Sequence, residues 1–131
     1  MPVHHVSHIA VYGTLRPGQR AGEIMSSLDN VAYVSPCVIP GRIYNLGTFP
    51  GLKEEDGTVV GDLFSVSTNT SMINALALLD RYEGYLEGRE RNLYIRKAIK
   101  LIHPELYAWV YVYAHETQLV SLIPNGDWRT R

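Results

Sequence analysis

Apolar and polar positions change period several times along this chain, and each change marks an element. Residues 8–12, His-Ile-Ala-Val-Tyr, form a short apolar run that stops at Gly13. That run predicts a buried strand with residues 13–18 as the turn at its carboxyl end. Ala21, Ile24, Met25 and Leu28 then recur at steps of three and four, which predicts a short one-stripe helix leaving through Asp29-Asn30. Residues 31–35 and 38–46 are rich in Val, Ile and Tyr and predict strands, with Pro36 and Pro40 confined to strand ends, an edge or a bend. Residues 47–57 read as a loop with a solvated tip, Lys53-Glu54-Glu55-Asp56, and residues 58–66 as another strand in which Gly61 permits a bulge or close packing. Residues 67–70 offer helix caps. Met72, Ile73, Leu76, Leu79 and Tyr82 follow the spacing of an amphipathic helix that runs to about residue 82, and Gly84 can end it. Residues 93–102 and 106–113, separated by His103-Pro104-Glu105, predict two strands able to pair as a hairpin. Residues 119–124 are compatible with a last strand, and 125–127 with a turn before Trp128-Arg129.

This order predicts an α+β domain around a strongly curved sheet, mixed or mainly antiparallel, with flanking helices. Composition supports one domain over residues 1–131, because 46% hydrophobic residues supply a continuous core without disulfides or metals. Twelve Lys and Arg against 13 Asp and Glu leave a net charge of −1, so no broad positive field invites nucleic acid. The Arg89, Arg91, Arg96, Lys97, Lys100 series falls on a strand and its approach and reads as a solvated face. No membrane attachment is expected. Cys37, the single cysteine, cannot form an internal bridge, and the opening Met-Pro-Val-His-His lacks a secretory signal's basic and apolar parts. A cytoplasmic protein with an inert Cys37 is the expectation.

Two segments could carry chemistry. At Gly13 the smallest side chain lets the backbone turn sharply and aim the Thr14 and Leu15 amides at a ligand, where successive donors satisfy a carboxylate without net charge. Tyr12 beside it can be a pocket contact or a core residue with a satisfied hydroxyl. Arg16 could add a longer-range positive charge, but Pro17 and Gly18 leave its direction open and a surface role is favoured. The loop has neither the lysine-ending glycine run of a nucleotide cradle nor a dinucleotide fingerprint, so neither ATP nor NAD is implied. The second segment is Asp80-Arg81-Tyr82-Glu83. Partial burial of Glu83 between Tyr82 and Tyr85 would raise its pKa toward the range of general acid/base work. Asp80, three residues earlier, could share its face, yet could equally bond to Arg81 or solvent. Glu83 ranks first because the helix end lets its longer side chain enter a cleft beside the sheet. Tyr94 and Arg96 have one strand parity and face the same side. His4, His5 and His8 cluster, but neither they nor His103 and His115 have metal-ligand spacing, so no metal is expected.

Taken in order, Val11-Tyr12-Gly13-Thr14-Leu15, Gly41-Arg42-Ile43-Tyr44, Val60-Gly61-Asp62-Leu63-Phe64, Leu79-Asp80-Arg81-Tyr82-Glu83-Gly84, Tyr94-Ile95-Arg96 and Trp109-Val110-Tyr111 span most of the chain. The sequence resembles the gamma-glutamylcyclotransferase-like superfamily, including the small avirulence-induced-gene-like proteins and the gamma-glutamylamine cyclotransferases. The resemblance implies a small β-barrel with flanking helices, a carboxylate-binding loop over residues 12–15, and Glu83 as catalytic acid/base. Tyr12 and Tyr94 are then secondary pocket residues, and Arg16, Asp80 and Arg96 possible supports. Thr14 stands where the family often has Ser. The implied reaction releases 5-oxoproline from a small gamma-glutamyl amine or peptide by attack of its own α-amine, with no cofactor. Two other readings stand beside it: a non-catalytic module binding a small carboxylate or a protein, and a gamma-glutamyl amide hydrolase.

Overall fold

The computed structural model describes residues 6–89, 91–117 and 121–131. Its elements are β1 (His8–Val11), α1 (Gly22–Ser26), β2 (Val31–Asn45), β3 (Pro50–Val66), α2 (Asn69–Glu83), β4 (Tyr94–Lys100), β5 (Tyr107–Tyr113) and β6 (Ser121–Leu122), then a 3-10 turn at Trp128–Thr130. They form a small α+β fold whose six-stranded sheet has the order β4-β5-β1-β3-β2-β6. Only β1 and β5 run parallel; the other neighbours are antiparallel. The near-continuous apolar run of β1 follows from its place: it is interior to the sheet, and its alternate residues face two separate cores.

β2 and β3 form one long hairpin. The loop expected over 47–57 is shorter than that, because Leu46 N–H already donates to Phe49 O at 3.0 Å and β3 pairs with β2 again from Pro50. The polar tip is an excursion within β3. The register jumps from Pro40↔Thr58 to Arg42↔Lys53, so residues 54–57 bulge out opposite Gly41 and lie exposed. Pro36 and Pro40 sit inside β2, not at its ends. Val38 has their parity, and its N–H points away from β3 to His103 O at 2.8 Å, so the missing proline donors fall on the side where β2 has no ladder to lose.

The sheet curls into a half-barrel. Among the described residues no continuous ladder closes it between the edge strands β4 and β6, but Val38 also accepts from Ile102 N–H at 2.9 Å, tying the turn after β4 to β2. Inside the curl lie Ala10, Tyr12, Ile39, Ile43, Leu52, Val59, Leu63, Val110 and others. Trp128, from the last turn, plugs this core at 2% exposure, so the tail closes over the barrel interior. Cys37 is buried there as well, and desolvation pushes its thiol up to about 12. The outer face packs Ile9, Val11, Phe64 and Tyr111 against Met25 of α1 and Met72, Ala75, Leu76 and Leu79 of α2. Ile73, expected on that stripe, points outward because it lies one residue off the 72-75-76-79 face. No described helix is long and apolar enough to cross a membrane.

Candidate active site

Where β1 ends, the chain makes a tight turn. Gly13 O accepts from Arg16 N–H at 3.0 Å and Thr14 O from Ala21 N–H at 2.9 Å, so the carbonyls are used within the turn. Among the described residues, no carbonyl or side chain accepts a hydrogen bond from the amides of Gly13, Thr14 or Leu15, although all three residues are buried. Buried amides are almost always paired, and an unpaired run lining a cavity is a ready set of donors for what enters it. Glycine at 13 is required by proximity: a Cβ there would lie 2.6 Å from Pro50 Cγ.

The second wall is the end of α2. The helix starts at Thr68, whose hydroxyl accepts from Ser71 N–H at 3.0 Å, and ends on Gly84 at φ +68°. Gly84 N–H donates to Arg81 O and Tyr85 N–H to Asp80 O, the pairing of a Schellman cap. The last turn is clamped to the sheet by Asp80, which takes two bonds from Arg96, at 2.8 and 3.3 Å, and one from the Tyr111 hydroxyl at 2.6 Å. That clamp fixes the helix end that carries Glu83. The Tyr82 and Thr14 hydroxyls meet at 3.0 Å, joining the helix end to the glycine turn.

Between these walls lies a cavity of about 410 Å³ that touches residues 10–15, Arg20, Phe49, Pro50, Tyr82, Glu83, Leu93, Tyr94 and Tyr111. Glu83 is half-buried, and among the described residues nothing pairs with its carboxylate. Loss of hydration, uncompensated by a cation or donor, pushes its carboxyl up to about 8. The three buried tyrosines stay neutral, since desolvation raises each phenol far above its ordinary value and the nearby Glu83 charge adds to it. Glu83 is therefore the group in this cavity able to exchange a proton near neutral pH.

The remaining candidates divide. Tyr94 lines the cavity, with its hydroxyl donating to Pro50 O at 2.5 Å. Tyr12 contributes to the lining, but its hydroxyl donates to Tyr111 O at 2.6 Å and accepts from Leu52 N–H at 3.1 Å inside the barrel, which leaves it a core role. Arg16, expected at the surface, is 3% exposed: its guanidinium meets Asp62 and Asp127, each at 2.8 Å, away from the cavity. Asp80 pairs with Arg96 and the Tyr111 hydroxyl, not with Arg81, and its side chain stays 20% exposed. Arg96 also stacks over Trp109 at 4.6 Å. His4 and His5 lie outside the described residues, among which no three His, Cys, Asp or Glu come together as a metal set. Sequence reasoning missed Arg20, Phe49, Pro50, Leu93 and Tyr111 as cavity residues. Pro50 and Phe49 sat in an assumed loop, and no periodicity marks Arg20.

The family model described as "Gamma-glutamyl cyclotransferase, AIG2-like" matches residues 9–130. The "Gamma-glutamylcyclotransferase family protein YtfP" of Escherichia coli (strain K12) is 32% identical over 123 residues, covering 94% of this chain and 96% of its own. The solution structure of ytfP from Escherichia coli aligns with a TM-score of 0.60 at 28% identity, over 95% of this chain and 99% of that one. A crystal structure of an aig2-like protein from Mus musculus shares the fold, with a TM-score of 0.66 and 23% identity over 91% and 86% of the two chains.

Proposed function

The chain belongs to the gamma-glutamyl cyclotransferase, AIG2-like family, and on that premise we propose that it is a cofactor-independent enzyme releasing 5-oxoproline from a small gamma-glutamyl amide. One observation carries the reading: a carboxyl raised to about 8 lines the same cavity as three consecutive amides, none of the four paired among the described residues. Such an arrangement suits a substrate with a carboxylate at one end and an amine that must lose a proton before it can act.

The amides of Gly13, Thr14 and Leu15 take the glutamyl α-carboxylate, which needs donors and brings its own charge. The α-amine reacts in its neutral form: as its lone pair attacks the γ-carbonyl carbon, ionised Glu83 accepts the proton that the nitrogen sheds. The new C–N bond closes a five-membered ring and the old amide C–N bond breaks. Glu83, now protonated, passes its proton to the departing nitrogen, so a free amine leaves and no water is consumed. Confinement contributes as much as proton transfer, because an anchored carboxylate holds the flexible glutamyl chain near its cyclised shape. A carboxyl near 8 is close to the basicity of an α-amine, so transfer in either direction has a small driving-force penalty.

The test is a product screen by mass spectrometry. Wild-type protein and Glu83→Gln are incubated with gamma-glutamyl amines, gamma-glutamyl dipeptides and glutathione. The expectation is 5-oxoproline from at least one substrate and a loss of about 10²–10⁴-fold in the variant. Glutamate in place of 5-oxoproline would identify a hydrolase, and turnover indifferent to the substitution would take Glu83 out of the mechanism. Ligand retention without turnover of any substrate would leave a binding module.

A further inference from the structure

Arg20 brings a second charge to the cavity wall, and the reaction above does not use it. Among the described residues, it and Glu83 are the charged side chains that line the cavity; the rest of that lining is apolar, aromatic or hydroxyl. The turn that carries it is held by Ala21 N–H on Thr14 O and Gly22 N–H on Gln19 O. Its guanidinium is steered to the mouth by one bond, from Nη2 to Thr48 O at 2.9 Å. That bond uses one of five N–H donors, and no described carboxylate pairs with it. Phe49, Pro50 and Leu93 add apolar lining to the same cavity.

We propose that Arg20 is a specificity-determining residue, the counter-charge for a carboxylate on the departing amine, so that gamma-glutamyl conjugates of apolar α-amino acids are preferred over those of simple amines. This rests on the cyclotransferase reading. The order of the wall is the physical reason. Gly13, Thr14 and Leu15 are buried, whereas Arg20 is exposed, so a substrate anchored by its glutamyl carboxylate on the amides sends its leaving group outward, past Phe49 and Leu93 toward the guanidinium. A carboxylate there meets a planar fork able to bond both its oxygens. A leaving group without that charge strands the guanidinium donors on water, and one carrying an ammonium is repelled. The cavity, at about 410 Å³, lies in the lower part of the usual range for small ligands, roughly 300–1,000 Å³, which fits a dipeptide-sized conjugate.

The experiment compares gamma-glutamyl-phenylalanine with gamma-glutamyl-phenethylamine, which has the same aromatic body and lacks only the second carboxylate. The kcat/KM for 5-oxoproline release is measured for wild type, Arg20→Gln and Arg20→Lys. Wild type should favour the phenylalanine conjugate by about tenfold, as expected for a partly solvated, charge-assisted pair. In Arg20→Gln the ratio should fall to about one, through a raised KM, and Arg20→Lys should keep part of the preference. A wild-type ratio near one overturns the proposal. So does a loss of equal size on both substrates, which would put the guanidinium on the glutamyl carboxylate common to both. No 5-oxoproline from either substrate with wild type, in a protein that also fails the wider product screen, would remove the cyclotransferase reading and this inference with it.

Discussion

Leu15 and Arg16 are neighbours in sequence, yet they open onto two buried polar regions built on opposite terms. On the Arg16 side every charge is matched: the guanidinium meets Asp62 and Asp127, and Asp62 also receives the Tyr33 hydroxyl at 2.9 Å and lies 3.7 Å from Arg129. On the Leu15 side lie three amides and one carboxylate that have no partner among the described residues. A matched buried charge already has its partners and holds chain segments together, here β3 and the C-terminal turn. An unmatched one changes protonation state near neutral pH and exerts its demand for partners on whatever enters. The fold uses the first arrangement to close the barrel, and the second lines the cavity at the end of β1.

Substitutions can break that division. Removing the Arg16 guanidinium as Arg16→Met leaves Asp62 and Asp127 without their main partner, and breaking a buried pair costs about 3–5 kcal/mol. The lower part of that range is expected because Tyr33 and Arg129 remain on Asp62. Urea unfolding should show this as a lower midpoint, with kcat/KM at low temperature reduced far less than in Glu83→Gln. A large kinetic loss in a protein that kept its stability would merge the two regions.

Gly13→Ala tests the open side next. Its Cβ would sit 2.6 Å from the Pro50 ring, so the turn must move, at about 1–3 kcal/mol, and the displaced amides should lower kcat/KM by roughly 10- to 100-fold. Unchanged kinetics would mean that those amides bind nothing.

The pH dependence sharpens the contrast. In the fold Glu83 keeps its proton to about pH 8, and at its ordinary value of 4.5 in the unfolded chain it has already lost it. Between those limits the native state binds the extra proton, so this group's contribution makes stability fall as pH rises through that window. Glu83→Gln should therefore raise Tm at pH 8 and above, by the equivalent of ~1–2 kcal/mol, and change it little near pH 4.5. In the wild type kcat/KM should climb with pH to a midpoint near 8, as the carboxylate form appears. A flat stability difference between pH 4.5 and 8 would show that Glu83 is paired after all.

Smallest is Tyr82→Phe. It removes the 3.0 Å bond to Thr14 and should cost ~0.5–1.5 kcal/mol by thermal unfolding, with a modest rise in KM.

What could be read from the chain alone was whatever is local. The strand ending at Gly13, the α2 stripe ending at Gly84 and the hairpin of β4 and β5 each follow from periods of two or 3.6 and from glycine's backbone freedom, all encoded within a dozen residues. Glu83 stood out for the same reason, as the carboxylate at a helix end between aromatic residues. The polar run at 53–56 hid the return of β3 to its partner, because an exposed bulge has no alternation to read. Pairing of charges was beyond reach for a different reason. Arg16 finds Asp62 and Asp127 across 46 and 111 residues, and Asp80 finds Arg96 and Tyr111 on the sheet beneath it. A side chain's protonation and direction depend on which groups the closed fold brings within about 3 Å, and that distance exists only once the strands have curled. The sequence thus determined which residues were available for chemistry, and the tertiary structure decided which were consumed by a partner and which were left unpaired.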